Sequence, residues 1–143
     1  MLAAKGTQNS STTASSVASS LYSATVDELN ADIESYTAEI QNLQAEVTQL
    51  VAERADEDLW TAKKEAQTAL TTAKNVYDDT DVTNAAAYVA NYEAYTKAKD
   101  TYDKAVDAID TINDSIDDNN EKIMDDQELL TQAQAQLDRA LTD

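Results

Sequence analysis

The sequence contains no cysteine, histidine, proline or phenylalanine, and one glycine in 143 residues. Without Cys or His it has no ligand set for zinc, haem, iron–sulfur or blue-copper sites, no thiol and no histidine base. Strands joined by tight turns need Gly, Pro and Asn-Gly punctuation, and its near absence excludes sheet-rich folds. No apolar run approaches the roughly 20 residues that span a bilayer, so no membrane insertion is expected. Basic residues are also scarce: 10 Lys and Arg stand against 28 Asp and Glu, a net charge of −18. A phosphate backbone would be repelled by most of such a surface, so no nucleic-acid partner is expected. The opening Met-Leu-Ala-Ala-Lys-Gly is followed by polar residues, which predicts a chain not exported by the general secretory route.

The remaining composition divides near Thr25. Residues 1–24 are rich in Ser, Thr and Ala, with Lys5 their only charged side chain. Such a stretch buries too little apolar surface to order by itself. It reads as a disordered tail, or as an extended N-terminal arm that orders against a neighbouring subunit through Val17, Leu21 and Tyr22.

Residues 25–143 read as helix. Thr25-Val26-Asp27-Glu28 has the form of a capping box. Behind it, Val26, Leu29, Ile33, Tyr36, Ile40, Leu43, Val47 and Leu50 alternate steps of three and four, the seam of a coiled coil. The stripe then changes phase to Val51, Ala55, Leu59, Ala62, Ala66, Leu70, Ala73 and Tyr77. These residues fit an eleven-residue repeat, which relaxes a left-handed supercoil. The spacing therefore predicts one continuous helix over about 26–77. Asp78 to Asn84 is a run of short polar residues that compete with helical hydrogen bonds and can cap a second helix, so a turn is expected at about 78–84. The same run is no EF-hand loop, because no register supplies both the sixth-position Gly and the twelfth-position Glu.

The second helix is expected over about 85–141. Tyr88, Tyr95, Tyr102, Ile109, Ile116, Ile123, Leu130 and Leu137 fall on every seventh residue, with mostly small companions such as Ala98, Ala105 and Ala133. Asn119 and Asp126 interrupt the companion stripe as polar residues. Folding the two helices antiparallel about the turn sets Tyr88 opposite Ala73, Tyr92 opposite Ala69 and Tyr95 opposite Ala66. Further along, Ile109 meets Val51, and Ile116, Ile123 and Leu130 meet the aliphatic seam of the first helix. Large residues then oppose small ones, as close packing requires. The expected fold class is all-α: a long antiparallel helical hairpin, a two-helix coiled coil with an N-terminal arm. Each helix of such a pair buries only one stripe, and Trp60, Val76, Val89 and Val106 flank it as a second apolar face. Association of hairpins into a larger bundle or ring is therefore expected.

Catalytic signatures are missing from this pattern. The only glycine is Gly6, so there is no phosphate-binding loop. Ser and Thr have no His partner, and the Glu-x-x-His motif of di-iron bundles cannot occur. Asp103, Asp107, Asp110, Asp114, Asp117 and Asp118 fall on and near the solvent face of the second helix, where no pocket would separate their pKa values for acid–base work. No catalytic, cofactor or metal site is expected. A non-enzymatic structural subunit of a multi-copy assembly is expected instead, with a virion component (collar, tail, fibre or capsid-associated) placed first. Its partners would be further copies of itself and other structural proteins of the same assembly. The alternatives are a subunit of an extracellular filament or needle-type appendage, and a cytoplasmic acidic adaptor for a basic partner.

Overall fold

The computed structural model describes the backbone of residues 2–142 and the side chains of residues 21–142. It contains three helices, α1 (Leu2–Arg54), α2 (Glu57–Asp78) and α3 (Ala85–Thr142), and no strand among the described residues. The all-helical class read from the sequence is therefore correct. The backbone of α1 begins well before Thr25, so the capping-box sequence lies within a helix and does not start one. No proline interrupts residues 2–24, and no glycine lies between Gly6 and Thr25. Of the three residues named as arm anchors, Leu21 and Tyr22 are exposed on α1, and the Val17 side chain lies outside the described residues.

Threonine is frequent in these helices, although it is a modest helix former. Its hydroxyl is satisfied locally: Thr37, Thr68, Thr71, Thr96 and Thr101 each donate to the carbonyl four residues back, at 2.7–3.1 Å. A polar group that would otherwise compete with the helix is thus absorbed into it.

The expected continuous helix over 26–77 is broken at Ala55 and Asp56. Asp56 is extended (φ −61°, ψ 121°) and its carboxylate accepts the Asp58 N–H at 3.0 Å, which makes it the N-cap of α2. Glu57 and Asp58 follow in the first turn, where negative charge favours a helix N-terminus. This break explains the change of phase. The buried and half-buried stripe of α1 runs in heptad steps from Val26 through Leu50 to Arg54. Beyond the break it restarts as Leu59, Lys63, Ala66, Leu70, Ala73 and Tyr77, again in heptad steps. Val51, Ala55 and Ala62, which the eleven-residue reading places in the seam, are exposed. Two heptad stripes offset by a cap mimic a longer repeat.

Packing is organised in two compact units. The first takes in α1 as far as Gln44 and α3 from Glu121. Leu29, Ile40 and Leu43 of α1 and Ile123, Asp126 and Ala133 of α3 are its buried residues. The second comprises Ala45–Asn120 and buries Ala66, Ile109 and Ile116. On α3, every seventh residue from Tyr88 to Leu137 is buried or half-buried, as the sequence spacing requires.

Candidate functional site

The densest group of polar and aromatic contacts lies in the second unit, where α2 turns into α3. Asp79 donates its N–H to the Asn75 carbonyl and closes α2. The Thr83 N–H and hydroxyl both donate to one Asp81 carboxylate oxygen, at 2.9 and 2.8 Å. These two donors hold the Asp81 carboxyl below the usual carboxylate range, the backbone N–H contributing more. Asn84 then caps α3, its side-chain oxygen accepting the Ala87 N–H at 3.3 Å. Within this acidic run the Asp81 carboxylate is engaged by Thr83, and the cap of α3 comes from Asn84.

Directly behind the turn, four tyrosines converge, with Tyr77 at their centre. Its hydroxyl meets that of Tyr88 at 2.7 Å, and their ring centroids are 5.2 Å apart. Tyr92 and Tyr95 place their centroids 5.5 and 5.8 Å from the same ring, Tyr95 nearly parallel to it at 9°. The hydrogen bond with Tyr88 is the first cause, and partial desolvation the second, of a Tyr77 pKa raised to about 12. Alongside, the Asn91 amide donates to the Thr80 hydroxyl at 2.7 Å.

The sequence places Tyr88 opposite Ala73, yet its partner is Tyr77, about one helical turn further along. Ala69, expected opposite Tyr92, is exposed, and Tyr92 rests against Tyr77 while remaining 51% exposed. Ala66 is buried and Ala73 half-buried. Ile109, Ile116 and Ile123 are buried and Leu130 is half-buried, as expected of seam residues. Val51, expected opposite Ile109, is exposed. The alanines suggest a large-against-small pairing, but at this end the rings pack on one another, Tyr95 stacked on Tyr77 and Tyr88 and Tyr92 tilted against it. Edge and offset contacts between rings are favourable in their own right.

Two further polar pairs bridge helices within this unit. The Arg54 guanidinium donates to the Asn113 side-chain oxygen at 3.0 Å, and the Asn119 amide donates to the Glu46 carboxylate at 3.1 Å. Asn119 thus uses its polar group across the seam. In the other unit Asp126 is only 8% exposed, and one of its carboxylate oxygens is buried without a hydrogen-bond partner. Both positions are visible in the sequence as polar interruptions of a heptad stripe. Arg54 and the central place of Tyr77 are not, because each depends on the break at Asp56 or on the register.

The surface depressions are open and lined mostly by polar residues. One of about 350 Å³ is lined by Glu46, Gln49, Leu50, Glu53, Ser115 and Asn119. Another, of about 290 Å³ in the first unit, is lined by Thr25, Glu28, Leu29, Asp32 and Gln136. Among the described residues, no group of three or more acidic side chains is arranged to hold a metal ion, and no helix is long and apolar enough to cross a membrane. The aspartates at 103, 107, 110, 114, 117 and 118 are all exposed along α3. No family model, curated protein or solved structure matches the chain.

Proposed function

We propose that the chain is a non-enzymatic structural subunit of a multi-copy assembly, built as an antiparallel coiled-coil hairpin that associates with further copies of itself. A virion component, in a collar, tail, fibre or capsid-associated layer, is the assembly we place first. Support for the hairpin comes from the bridging pairs. As the partner on α1 or α2 advances from Glu46 to Arg54 to Tyr77, the partner on α3 recedes from Asn119 to Asn113 to Tyr88.

The observation that carries the assembly reading is the shortage of interior. No large side chain among the described residues is fully buried. Trp60, Val76, Val89 and Tyr92 all remain about half exposed beside a seam that is already occupied. Apolar area of this kind, covered by neighbouring copies, stabilises an assembly by about 25 cal/mol per Å². A symmetric arrangement repeats each such contact.

The adaptor reading is favoured by one feature, the row of exposed aspartates on α3, which would suit a basic partner. Light scattering of the intact chain across salt concentrations separates the two. Structural association through apolar contacts gives a multimeric mass that persists or grows as salt screens the −18 charge. A monomer at every salt and protein concentration overturns the assembly reading and moves the adaptor ahead.

A further inference from the structure

We infer that Tyr77 and Tyr88 form an oxidative cross-linking site, at which a one-electron oxidant joins the two rings as dityrosine and ties α2 covalently to α3 across the turn. The geometry is that of a pair set for coupling. The hydroxyls touch at 2.7 Å while the centroids are 5.2 Å apart and the planes are tilted by 46°. Two phenols meeting tip to tip through their oxygens would hold their centroids much further apart. The rings therefore lie side by side with their hydroxyl ends converging. That brings together the ortho carbons that flank each C–O bond, and these are the carbons that share unpaired electron density in a tyrosyl radical.

The chemistry balances with two equivalents of a one-electron oxidant, such as the activated haem of a peroxidase supplied with hydrogen peroxide. Each phenol gives up one electron and its hydroxyl proton. The two radicals form one carbon–carbon bond between ortho positions. The hydrogen on each joined carbon then returns to the phenolic oxygen as a proton, so both hydroxyls are restored and the product is lighter by two hydrogens.

The surroundings favour this pair over other tyrosines. Tyr92 and Tyr95 lie within 5.8 Å of the Tyr77 ring, so a radical formed on either can pass to Tyr77 by electron exchange. The chain has no cysteine, and so no internal thiol to quench that radical and no disulfide to staple its helices. A carbon–carbon bond between Tyr77 and Tyr88 supplies such a staple at the turn.

The test is oxidation of the dilute full-length chain with peroxidase and hydrogen peroxide, followed by peptide mapping. Trypsin leaves all four clustered tyrosines between Lys74 and Lys97, so the map uses a protease that cuts before aspartate and severs Tyr77 from Asp78. The expected product is a peptide ending at Tyr77 joined to the peptide of residues 81–99, lighter by two hydrogens than the separate pair, with dityrosine fluorescence and with fragmentation of the linked pair placing the bond on Tyr88 and not on Tyr92 or Tyr95. Tyr77→Phe, checked for unchanged helicity by circular dichroism, should lose the linked pair and most of the fluorescence, whereas Tyr36→Phe should keep both. Mixing isotopically labelled and unlabelled chains identifies links between molecules. Links formed mainly between chains, at Tyr22 or Tyr36, or from Tyr77 to a ring other than Tyr88 would overturn the inference, as would fluorescence that survives Tyr77→Phe.

Discussion

The indole N–H of Trp60 donates to the backbone carbonyl of Arg54, so the first turn of α2 closes the end of α1. Helix ends leave their last carbonyls without internal partners, and an indole is an unusual but effective donor for one of them. Lys63 lies over the same ring, its amine 5.5 Å from the centroid. The Arg54 side chain meanwhile reaches Asn113 on α3. The break at Ala55 and Asp56 is thus tied on both of its sides.

The first prediction concerns this junction. Asp56→Ala removes the side-chain cap of α2 and should cost about 1 kcal/mol in urea unfolding. Trp60→Phe keeps an aromatic ring but loses the donor to Arg54, and should cost about 0.5–1.5 kcal/mol. If neither change moves the midpoint, the two helices do not depend on the cap.

The second concerns alanines. Ala66 is buried and Ala69 exposed, although they lie three residues apart. Ala66→Leu should destabilise by about 1–3 kcal/mol through overpacking. Ala69→Leu should stay within about 0.5 kcal/mol. Thermal melts of the two variants decide it, and a larger loss for Ala69→Leu would mean that the faces of α2 are reversed.

Asp126 supplies the third. A buried carboxylate oxygen without a partner costs free energy that a well-packed apolar side chain would not. Asp126→Leu should therefore raise stability, by about 1–3 kcal/mol. A polar residue at a seam position also restricts register, so the same variant should associate less selectively. A lowered melting temperature would show that Asp126 has a partner in the native protein.

The fourth is a pH dependence. The Tyr77 pKa rises from 10.0 to about 12 on folding, chiefly through the hydrogen bond with Tyr88. A folded pKa above the unfolded one means that the neutral phenol is favoured in the folded state. Its contribution is complete below pH about 10 and is lost as pH rises through about 12. Melting temperatures taken across that window should fall more steeply for the wild-type chain than for Tyr77→Phe. Equal slopes would exclude the hydrogen bond as their cause.

Much of this architecture is legible in the residues themselves. The seven-residue spacing from Tyr88 to Leu137 marks the inner face of α3, and Val26 to Leu50 marks that of α1. Both stripes are buried or half-buried along their length because heptad spacing keeps one face turned inward. The break is not legible in the same way. Asp56-Glu57-Asp58 carries a capping signal, but a stripe of alanines and leucines across it satisfies an eleven-residue repeat equally well. Alanine is small enough to sit on either face, so Ala55 and Ala62 point to the wrong phase. The tyrosine partners are displaced for a related reason. A register counted through the turn carries an uncertainty of about one helical turn, and that is the distance from Ala73 to Tyr77. At the other end, Thr25 resembles a cap, yet helical backbone precedes it.

The central claim is that these helices leave their core incomplete until copies associate, and the concentration dependence of thermal unfolding tests it most directly. Association that stabilises only the folded chain raises the melting temperature as protein concentration rises. The expected result is a clear upward shift over a hundredfold range of concentration, reduced when the exposed Leu21 and Tyr22 are both changed to serine. A melting temperature that does not move with concentration would contradict the claim.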